Sequence, residues 1–564
     1  MPEEEKAPAI LEYEREPVPE SALLGLKSFV GQYAGEHVAG TELMIGPLFI
    51  VHGVSAAAVV GGLFVGNLLA VLSWMFLCAP IATRARLTLY YQLEKICGRK
   101  LVTLYNLANG IMFCFLAGSM VTVSATALSV FGIRMPGLED NYPNSLGWIL
   151  GCLAIGATIA VVAAYGYRMV ARVANYSAPW MVLIFLVFGI VSLRRFWEAN
   201  PGLGLWELCS TKIWVGGDPM PGQSKFTFWH VLFFAWFCNL AMHVGMSDLS
   251  VFRYARKSWY AVASAAGMYV GHFMAWLSAS MLYAWQLHTT KLTPAQIEGL
   301  AATGRYTREA LQNAPLTAGL IRELAALNLI EGCPAPLPGQ LAYGALGAAG
   351  ILCVILASWT TANPTIYRAG LAFQAVVPRA SRFRVTLATG MLAAVIGLFP
   401  AIAMKLLGFV ALYGLVLVPM GAVVFVDFWL MRRLGLQPFY AEATGKPFNV
   451  AAAIAWGVTL CGCLALALSG TLEIFFVSLP GWFAAAVLYL LSSAVIQKDL
   501  LNVHRRPIRR VALPLSYAAL GATLLFPILF AAGAIGSESM VKGMLPSALV
   551  WFSTAPLWME RKSG

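Results

Sequence analysis

Apolar runs long enough to cross a lipid bilayer recur along almost the whole chain, and they constrain its fold more than any other feature. A membrane-spanning helix needs about 20 apolar residues, and on that measure the sequence predicts roughly fourteen spans. Only 11% of the residues are charged, against about 25% in a typical soluble domain. We therefore predict an all-α polytopic protein whose partner is the lipid bilayer. The predicted spans are 43–59, 60–82, 101–132, 146–167, 173–193, 229–247, 258–286, 341–363, 385–403, 406–431, 449–468, 472–496, 511–533 and 541–558.

Lysine and arginine residues lie in short clusters between the predicted spans. The formal net charge is +12, but the clusters do not line one basic face, so no nucleic-acid partner is predicted. Positive charge marks the cytoplasmic loops of membrane proteins. Placing the clusters at 84–100, 253–257 and 504–510 inside predicts a multi-pass protein of the cell (inner) membrane with both termini in the cytoplasm. Arg194 and Arg195 fall on the opposite side and are an exception.

The spacing of the spans divides the chain into three parts. Residues 1–40 are polar and acidic, so they are predicted to be a cytoplasmic tail rather than a signal peptide. Residues 41–434 form a core of ten helices, and residues 435–564 add about four further spans and a short cytoplasmic tail. Within the core, leucine and alanine at helical spacing in 288–340 predict short amphipathic helices over the outer face.

Two cysteines, Cys209 and Cys333, lie in the two long outer segments of this arrangement. They can form a disulfide in an oxidising compartment only if the fold brings them within bonding distance, and the sequence leaves that open. The other cysteines lack the paired spacing of a zinc or redox site.

Two predicted spans are interrupted, and they occupy matching places along the chain. In the first span, Gly46 and Pro47 remove a backbone hydrogen bond from an apolar run. In the sixth, Asn239, His243 and the Ser247-Asp248 pair interrupt another. Interrupted helices at corresponding positions of two halves are typical of inverted repeats that bind ions and solutes at mid-membrane. The sequence thus predicts an inverted five-plus-five helix repeat followed by additional C-terminal transmembrane helices.

Thr360 and Thr361 stand side by side late in the eighth predicted span, just before Asn363 and Pro364. Two readings of this pair remain open. The hydroxyls supply neutral oxygens, which a cation needs where hydrocarbon offers none. Alternatively, they bond back to carbonyl groups one turn earlier in their own helix.

Three segments in order resemble one known family over roughly residues 25–435. They are SDLSVFRYARK from Ser247, ASWTTANPTIYRAG from Ala357 and VPMGAVVFVDFWLMRR from Val418. Together they resemble the nucleobase:cation symporter-1 family of purine, cytosine, allantoin and hydantoin permeases. The resemblance implies the inverted-repeat fold of sodium-coupled symporters, unwound spans one and six, and alternating access driven by a sodium or proton gradient.

The resemblance also implies a set of ligands for a sodium ion. In span eight they are the Ala357 carbonyl and the hydroxyls of Thr360 and Thr361, and in span one they are carbonyls from Gly46 to Phe49. Neutral oxygens on two helices would couple occupancy of the site to helix movement. No cofactor is implied beyond the coupling ion, sodium or a proton.

The substrate site is where the sequence departs from the family. Members stack a planar heterocycle between aromatic rings of spans three and six, but Asn239 stands at the expected span-six position. Span three offers Phe113 and Phe115, and Trp236 lies one turn from Asn239. The predicted substrate-binding residues are His52, Phe113, Phe115, Trp236, Asn239, His243 and Asn363.

Each polar candidate also has a structural reading. His52 and His243 bind substrate, carry a proton, or simply bond a backbone carbonyl. Asn363 either presents its amide to a ligand or ends a helix. Other polar residues are assigned structural roles: packing for His272, pairing or snorkelling for Glu42, and pairing or a gate for Asp248 and Asp427.

The expected function is secondary active transport of a small molecule. The sequence contains no HExxH, no P-loop and no GxSxG with partners, so an enzyme is not predicted. The leading interpretation is cation-coupled symport of a nucleobase or related nitrogenous heterocycle through the core at 41–434. The alternatives are a proton-coupled permease, a symporter of another solute such as an amino acid, and a non-transporting membrane sensor. The oligomeric state is open, and a monomer is compatible with this reading.

Overall fold

A computed structural model describes residues 13–137, 140–330, 334–497 and 513–559. These residues form helices and connecting loops, with no named strand among them. In the same residues, nine helices are long and apolar enough to cross a membrane, and two shorter apolar helices accompany them. The chain is a multi-pass membrane protein, and the predicted all-α fold class is confirmed.

The first ten spans correspond to the predicted core. Span one consists of Leu26–His37 and Glu42–Val51, span two is Ala56–Ala85, span three Arg99–Phe131, span four Leu146–Ala164 and span five Tyr167–Ala199. Span six consists of Phe228–Phe237, Leu240–His243 and Leu249–Phe252, and span seven of Ser258–Ala263, Ala266–Phe273 and Met274–Thr289. Span eight is Pro338–Val376, span nine Arg382–Ile396 and span ten Leu406–Trp429.

Four further spans and several short helices complete the described chain. The spans are Val450–Leu468, Ile474–Ile496, Leu513–Ala531 and Ser537–Met559, numbered eleven to fourteen. The short helices are Glu20–Ala22, Leu89–Cys97, Leu205–Leu208, Cys209–Ile213, Pro294–Ala301, Arg308–Gln312, Ala318–Ala326, Ala401–Met404, Met431–Leu434 and Tyr440–Thr444. The last basic clusters, 504–510 and 561–562, lie outside the described residues.

Span one begins earlier than the sequence predicts. The helix Leu26–His37 lies inside the segment assigned to the tail, and Gln32, Glu36 and His37 are buried in it. These polar residues lower the mean hydropathy of the segment, so it is not recognised as a span from the sequence. Their hydrogen-bond and ion-pair partners include residues of other spans, such as Tyr167 for Gln32 and Arg368 for Glu36. The interruption is also displaced, because Val38 leaves the helical region while Gly46 and Pro47 keep helical backbone angles. The predicted interruption at Gly46-Pro47 is present only as a minor one, where one helix ends at Ile45 and the next begins at Leu48.

The sequence predicts that span eight ends at Asn363 and Pro364, but the helix runs on past both residues. The helix continues to Val376, and its kink lies near the other end, at Leu346 and Gly347. Proline is tolerated inside a membrane helix when neighbouring groups take over the freed backbone positions. In the turn that contains Pro364, the Thr365 hydroxyl donates to the Thr361 carbonyl at 2.8 Å.

Contacts between the spans follow the predicted repeat. Span three packs on span eight, and span four packs on span nine. The contact of span one with span seven is matched by that of span six with span two. Likewise, the contact of span one with span five is matched by that of span six with span ten. The contact of span five with span eight is matched by that of span ten with span three. Exchanging each span for the one five positions away leaves these contacts unchanged, which two halves of one topology require.

The insertion between spans seven and eight forms short helices, as predicted. Leu300, Ile321 and Leu324 on these helices are buried in one apolar cluster with Val51 at the end of span one. The insertion therefore covers that end of the bundle. Cys333 lies outside the described residues, so its pairing with Cys209 stays a prediction.

Candidate functional site

The break in span one lies directly against span eight. The Thr361 hydroxyl donates to the Glu36 carbonyl at 2.7 Å. Gly40 lies so close to Ser358 that a β-carbon on Gly40 would overlap the serine hydroxyl. Glycine is needed here because the two backbones approach without room for a side chain. Two distant parts of the chain thus meet at the interruption of a helix.

Neutral oxygens converge at this meeting point. The hydroxyls of Thr360 and Thr361 each lie 3.1 Å from the Ala357 carbonyl oxygen. Together with the Glu36 carbonyl they form a group of oxygens from spans one and eight. Within the described residues, no group of three His, Cys, Asp or Glu side chains could hold a metal ion. A cation here would therefore rest on hydroxyl and carbonyl oxygens, and the donor set suits a hard monovalent ion.

The span-one part of the predicted ligand set needs correction. The Gly46 carbonyl accepts a hydrogen bond from Ser280 of span seven, and the Phe49 carbonyl accepts one from Val54. The carbonyl that lies beside the span-eight hydroxyls is that of Glu36, because the main interruption of span one follows residue 37. This interruption lies about eight residues, or roughly two helical turns, before Gly46.

A small cavity of about 50 Å³ adjoins these oxygens. Spans one, three, six, seven, eight and ten contribute to its wall. Its lining residues are Glu36, His37, Thr41, Glu42, Ile45, Leu116, Met120, Cys238, Asn239, Met242, His272, Thr361, Thr365 and Tyr413. The cavity lies where both broken spans meet span eight, so it is the candidate solute site.

Asn239 is the predicted substrate residue that lines this cavity. Its amide nitrogen lies 3.4 Å from Nε2 of His272. Span three contributes Leu116 and Met120 to the wall, whereas Phe113 is buried against Tyr413 with ring centroids 4.9 Å apart. Phe115 is half-buried on the same helix and does not line the wall.

The remaining predicted substrate residues also lie away from the cavity wall. His52 stacks on Phe226 beyond the end of span one, with its ring nitrogen 2.6 Å from the Ser224 carbonyl. Trp236 donates to the Ser73 hydroxyl at 3.0 Å, and the Trp236 carbonyl lies 3.1 Å from Nε2 of His243. Asn363 is buried outside the lining. His52 lies beyond the helix of span one, and Trp236 and His243 contact other groups within the bundle.

One corner of the cavity is built from a carboxylate, an imidazole and an indole. Trp276 donates its indole N–H to Glu42, and Oε1 of Glu42 lies 3.9 Å from Nε2 of His272. The His272 ring stacks on Trp276, with centroids 4.3 Å apart. His272, for which a packing role is predicted from the sequence, lies in the cavity wall. An ionisable residue in an apolar span was the signal that could have found it.

A buried ion-pair cluster lies beside the cavity. Arg368 of span eight contacts Glu36 at 2.5 Å and Asp248 at 2.7 Å. Asp248 also accepts from the Tyr33 hydroxyl at 2.5 Å and from the Trp74 indole at 2.7 Å. The cluster joins span one to the break of span six through span eight. Structural pairing of Asp248 is confirmed, but Glu36 and Arg368 were missed.

Comparisons with known proteins agree with this architecture. The structure is similar to Mhp1, a nucleobase-cation-symport-1 family transporter in a closed conformation with bromovinylhydantoin bound. The TM-score is 0.57 at 15% identity, covering 87% of this chain and 97% of that one. The inward-facing conformation of Mhp1 gives a TM-score of 0.54 at 15% identity, covering 90% and 100%.

A third similar structure is the substrate-bound outward-open state of a Na⁺-coupled sialic acid symporter. Its TM-score is 0.52 at 12% identity, covering 86% of this chain and 92% of that one. No family model and no curated protein matches the sequence. At these identities the similarity establishes the fold, which is the one that the family resemblance implied.

Proposed function

We propose that this protein is a secondary active transporter that couples movement of a small solute to sodium. The observation that carries the proposal is the 2.7 Å contact between the Thr361 hydroxyl and the Glu36 carbonyl beside the break of span one. An ion held by both helices would bind the conformation in which they are together more tightly than one in which they separate. Such a difference in affinity is the requirement for coupling an ion to a conformational change.

The proposed sodium ligands are the carbonyls of Glu36 and Ala357 and the hydroxyls of Thr360 and Thr361. Sodium is preferred over a proton because these groups are neutral oxygens without a basic lone pair among them. The sialic acid symporter with the same fold is Na⁺-coupled, which supports the choice. A proton-coupled permease remains the alternative for the ion.

The proposed solute is a nucleobase or related nitrogenous heterocycle. Mhp1 is a nucleobase-cation-symport-1 transporter and has bromovinylhydantoin bound, which supports this class. In the present cavity, the Asn239 amide, the Glu42 carboxylate and the two histidines offer polar partners for a ring edge. The sialic acid symporter has the same fold with a different solute, so an amino acid or another small solute is the second candidate.

A thermal-stability experiment tests the ion site without a known solute. We expect sodium chloride, but not potassium or choline chloride, to raise the melting temperature of the detergent-solubilised protein. At sodium ten times its dissociation constant, binding adds about 1.4 kcal/mol to the free energy of unfolding. Thr361→Ala should remove the sodium-specific shift.

Thr389→Ala is the matched control for this experiment. The Thr389 hydroxyl is also buried but donates only to the Val385 carbonyl of its own span, at 2.8 Å. It should lower stability without changing the response to sodium. A sodium shift that survives in the Thr361 variant would exclude the proposed site. Uptake of purines, pyrimidines and hydantoins into proteoliposomes, with and without a sodium gradient, then tests the solute class.

A further inference from the structure

We propose that Glu42 binds a positively charged N–H group of the transported solute, of the amidine or guanidine type. This inference rests on the proposed function, and it specifies the charge of the solute and its arrangement of hydrogen-bond donors. Hydantoins and oxopyrimidines lack such a group. Small amidine and guanidine compounds carry one at neutral pH, whereas aminopyrimidine and aminopurine edges have a similar N–H pattern but carry the charge only when protonated.

The first support is the position of Glu42 in the cavity wall. Its side chain is only 4% exposed, yet it lines the cavity beside span seven. Trp276 donates to one of its oxygens. Within the described residues, no lysine or arginine lies within ion-pair distance of this carboxylate, and His272 at 3.9 Å is its one basic neighbour. A buried carboxylate without a cation carries a large desolvation cost that a cationic ligand would offset.

The second support is the donor pattern of the two histidines. Nδ1 of His37 faces the Tyr33 carbonyl at 2.8 Å, so this nitrogen carries the hydrogen and Nε2 keeps its lone pair. That Nε2 is buried and has no hydrogen-bond partner. His272 accepts from the Asn239 amide through Nε2, so it does not donate to Glu42. Nε2 of His37 is therefore a free hydrogen-bond acceptor, whereas Nδ1 of His272, which is also buried without a partner, carries the hydrogen of that ring.

The third support is the formal charge around the cavity. Glu36 and Asp248 share one guanidinium group, that of Arg368, which leaves one negative charge. Glu42 would add a second when it is ionised, as it would be opposite a bound cation. One sodium ion at the Glu36 carbonyl would compensate one of these charges. A cationic solute would compensate the other, and an anionic one would add to the imbalance.

These groups fit the chemistry of an amidinium or guanidinium ion. Such ions are planar and carry several N–H donors, and their hydrogen bonds to a carboxylate are among the strongest in proteins. Glu42 would take one N–H group and His37 another, since both side chains line the same cavity. A neutral amide of the same shape would form these bonds without the charge.

The experiment compares two pairs of probes that have the same shape but differ in charge: guanidinium with urea, and acetamidinium with acetamide. Each is added as chloride or neutral compound at about 5 mM, far below denaturing concentrations, to the full-length protein in sodium chloride of constant chloride content. We expect the two cations to raise the melting temperature and the two neutral compounds to leave it unchanged. Glu42→Gln, which keeps an oxygen for Trp276, should weaken cation binding by about tenfold or more.

Glu198→Gln is the matched control, because Glu198 is 61% exposed and pairs with Arg194 far from the cavity wall. It should bind the cations as the wild type does. The sodium shift is recorded in the same samples and shows that each variant is folded. Equal shifts with urea and guanidinium, no guanidinium shift, or unchanged binding in the Glu42 variant would each overturn the inference. Loss of the sodium shift alone would instead count against the proposed ion site.

Discussion

Arg368 is a fully buried arginine that forms ion pairs with two acidic residues. Its guanidinium group is fully buried and contacts two buried carboxylates, Glu36 and Asp248. Taking these charges from water costs several kcal/mol per ion, and only their close contacts offset that cost. The cluster therefore depends on all three members being present.

Removing Arg368 should strongly destabilise the protein. For Arg368→Met we expect a loss of about 3–5 kcal/mol in the free energy of unfolding, because two carboxylates are left buried without a cation. Thermal unfolding in detergent measures the change. Glu36→Gln combined with Arg368→Met should recover part of the loss, since one of the unpaired charges is removed. A double variant no more stable than Arg368→Met would contradict this account.

For individual residues of the candidate site, the sequence predicts those that lie close together on one helix better than those brought together from distant parts of the chain. Thr360 and Thr361 could be recognised as adjacent hydroxyls late in an apolar span, and Ala357 through the resemblance to a known family. Glu36 could not, because it lies in a polar segment that resembles a tail. Arg368 follows Glu36 by 332 residues, and only the tertiary structure brings them together.

The broken span six keeps its backbone paired, although its helix is interrupted. Met246 adopts a left-handed conformation with φ of 66°, which is costly for a residue with a side chain. The amides of Ser247 and Asp248 return to the carbonyls of Ala241 and Met242, each at 3.1 Å. The break is thus a defined turn, and span ten packs directly against it.

Gly421 of span ten allows this close packing. A β-carbon on Gly421 would overlap the Val244 carbonyl oxygen, so Gly421→Ala should destabilise the protein by about 1–3 kcal/mol. Gly457→Ala is the control, because a β-carbon there meets nothing within 4 Å. It should be neutral or stabilising by up to about 1 kcal/mol, as alanine favours helix. Equal melting temperatures for the two variants would be inconsistent with the packing described.

Most helices and the interruption of span six could be predicted from the sequence, but the main interruption of span one and the continuity of span eight could not. Uniform apolar runs such as Leu146–Ala164 and Val450–Leu468 lie close to their predicted limits. The interruption at Val38 and the continuity of span eight through Pro364 depend on partners in other spans. Glycine and proline indicate where a helix is able to break, whereas tertiary contacts determine whether it does.

Across the whole molecule, spans twelve and fourteen are joined to the core by aromatic packing. Phe425 of span ten lies 5.3 Å from Trp482 and 5.5 Å from Trp551, measured between ring centroids. Asp427 of span ten also accepts from the Tyr489 hydroxyl of span twelve at 3.0 Å. The division predicted at residue 434 is therefore crossed by buried contacts.

Trp482→Ala should destabilise the core together with the C-terminal spans. We expect a loss of about 3–5 kcal/mol, because a fully buried indole is replaced by a cavity. Trp180, which is 39% exposed, provides the control, and its replacement by alanine should cost less. Differential scanning calorimetry should show one cooperative transition shifted downwards. A second transition that melts separately would indicate that the C-terminal spans are an independent unit.

The helix contacts that are matched between the two halves bear on the relative energies of alternative conformations of the protein. In a conformation in which the two halves trade shapes, the matched helix contacts would re-form, so these contacts alone favour neither state. The Glu36, Arg368 and Asp248 cluster joins spans one, six and eight, and its counterpart would need a basic residue on span three. Span three has no lysine or arginine from Leu101 to Phe131. The cluster thus has no counterpart in the other half and would favour the conformation described, a bias that binding of ion and solute would have to offset.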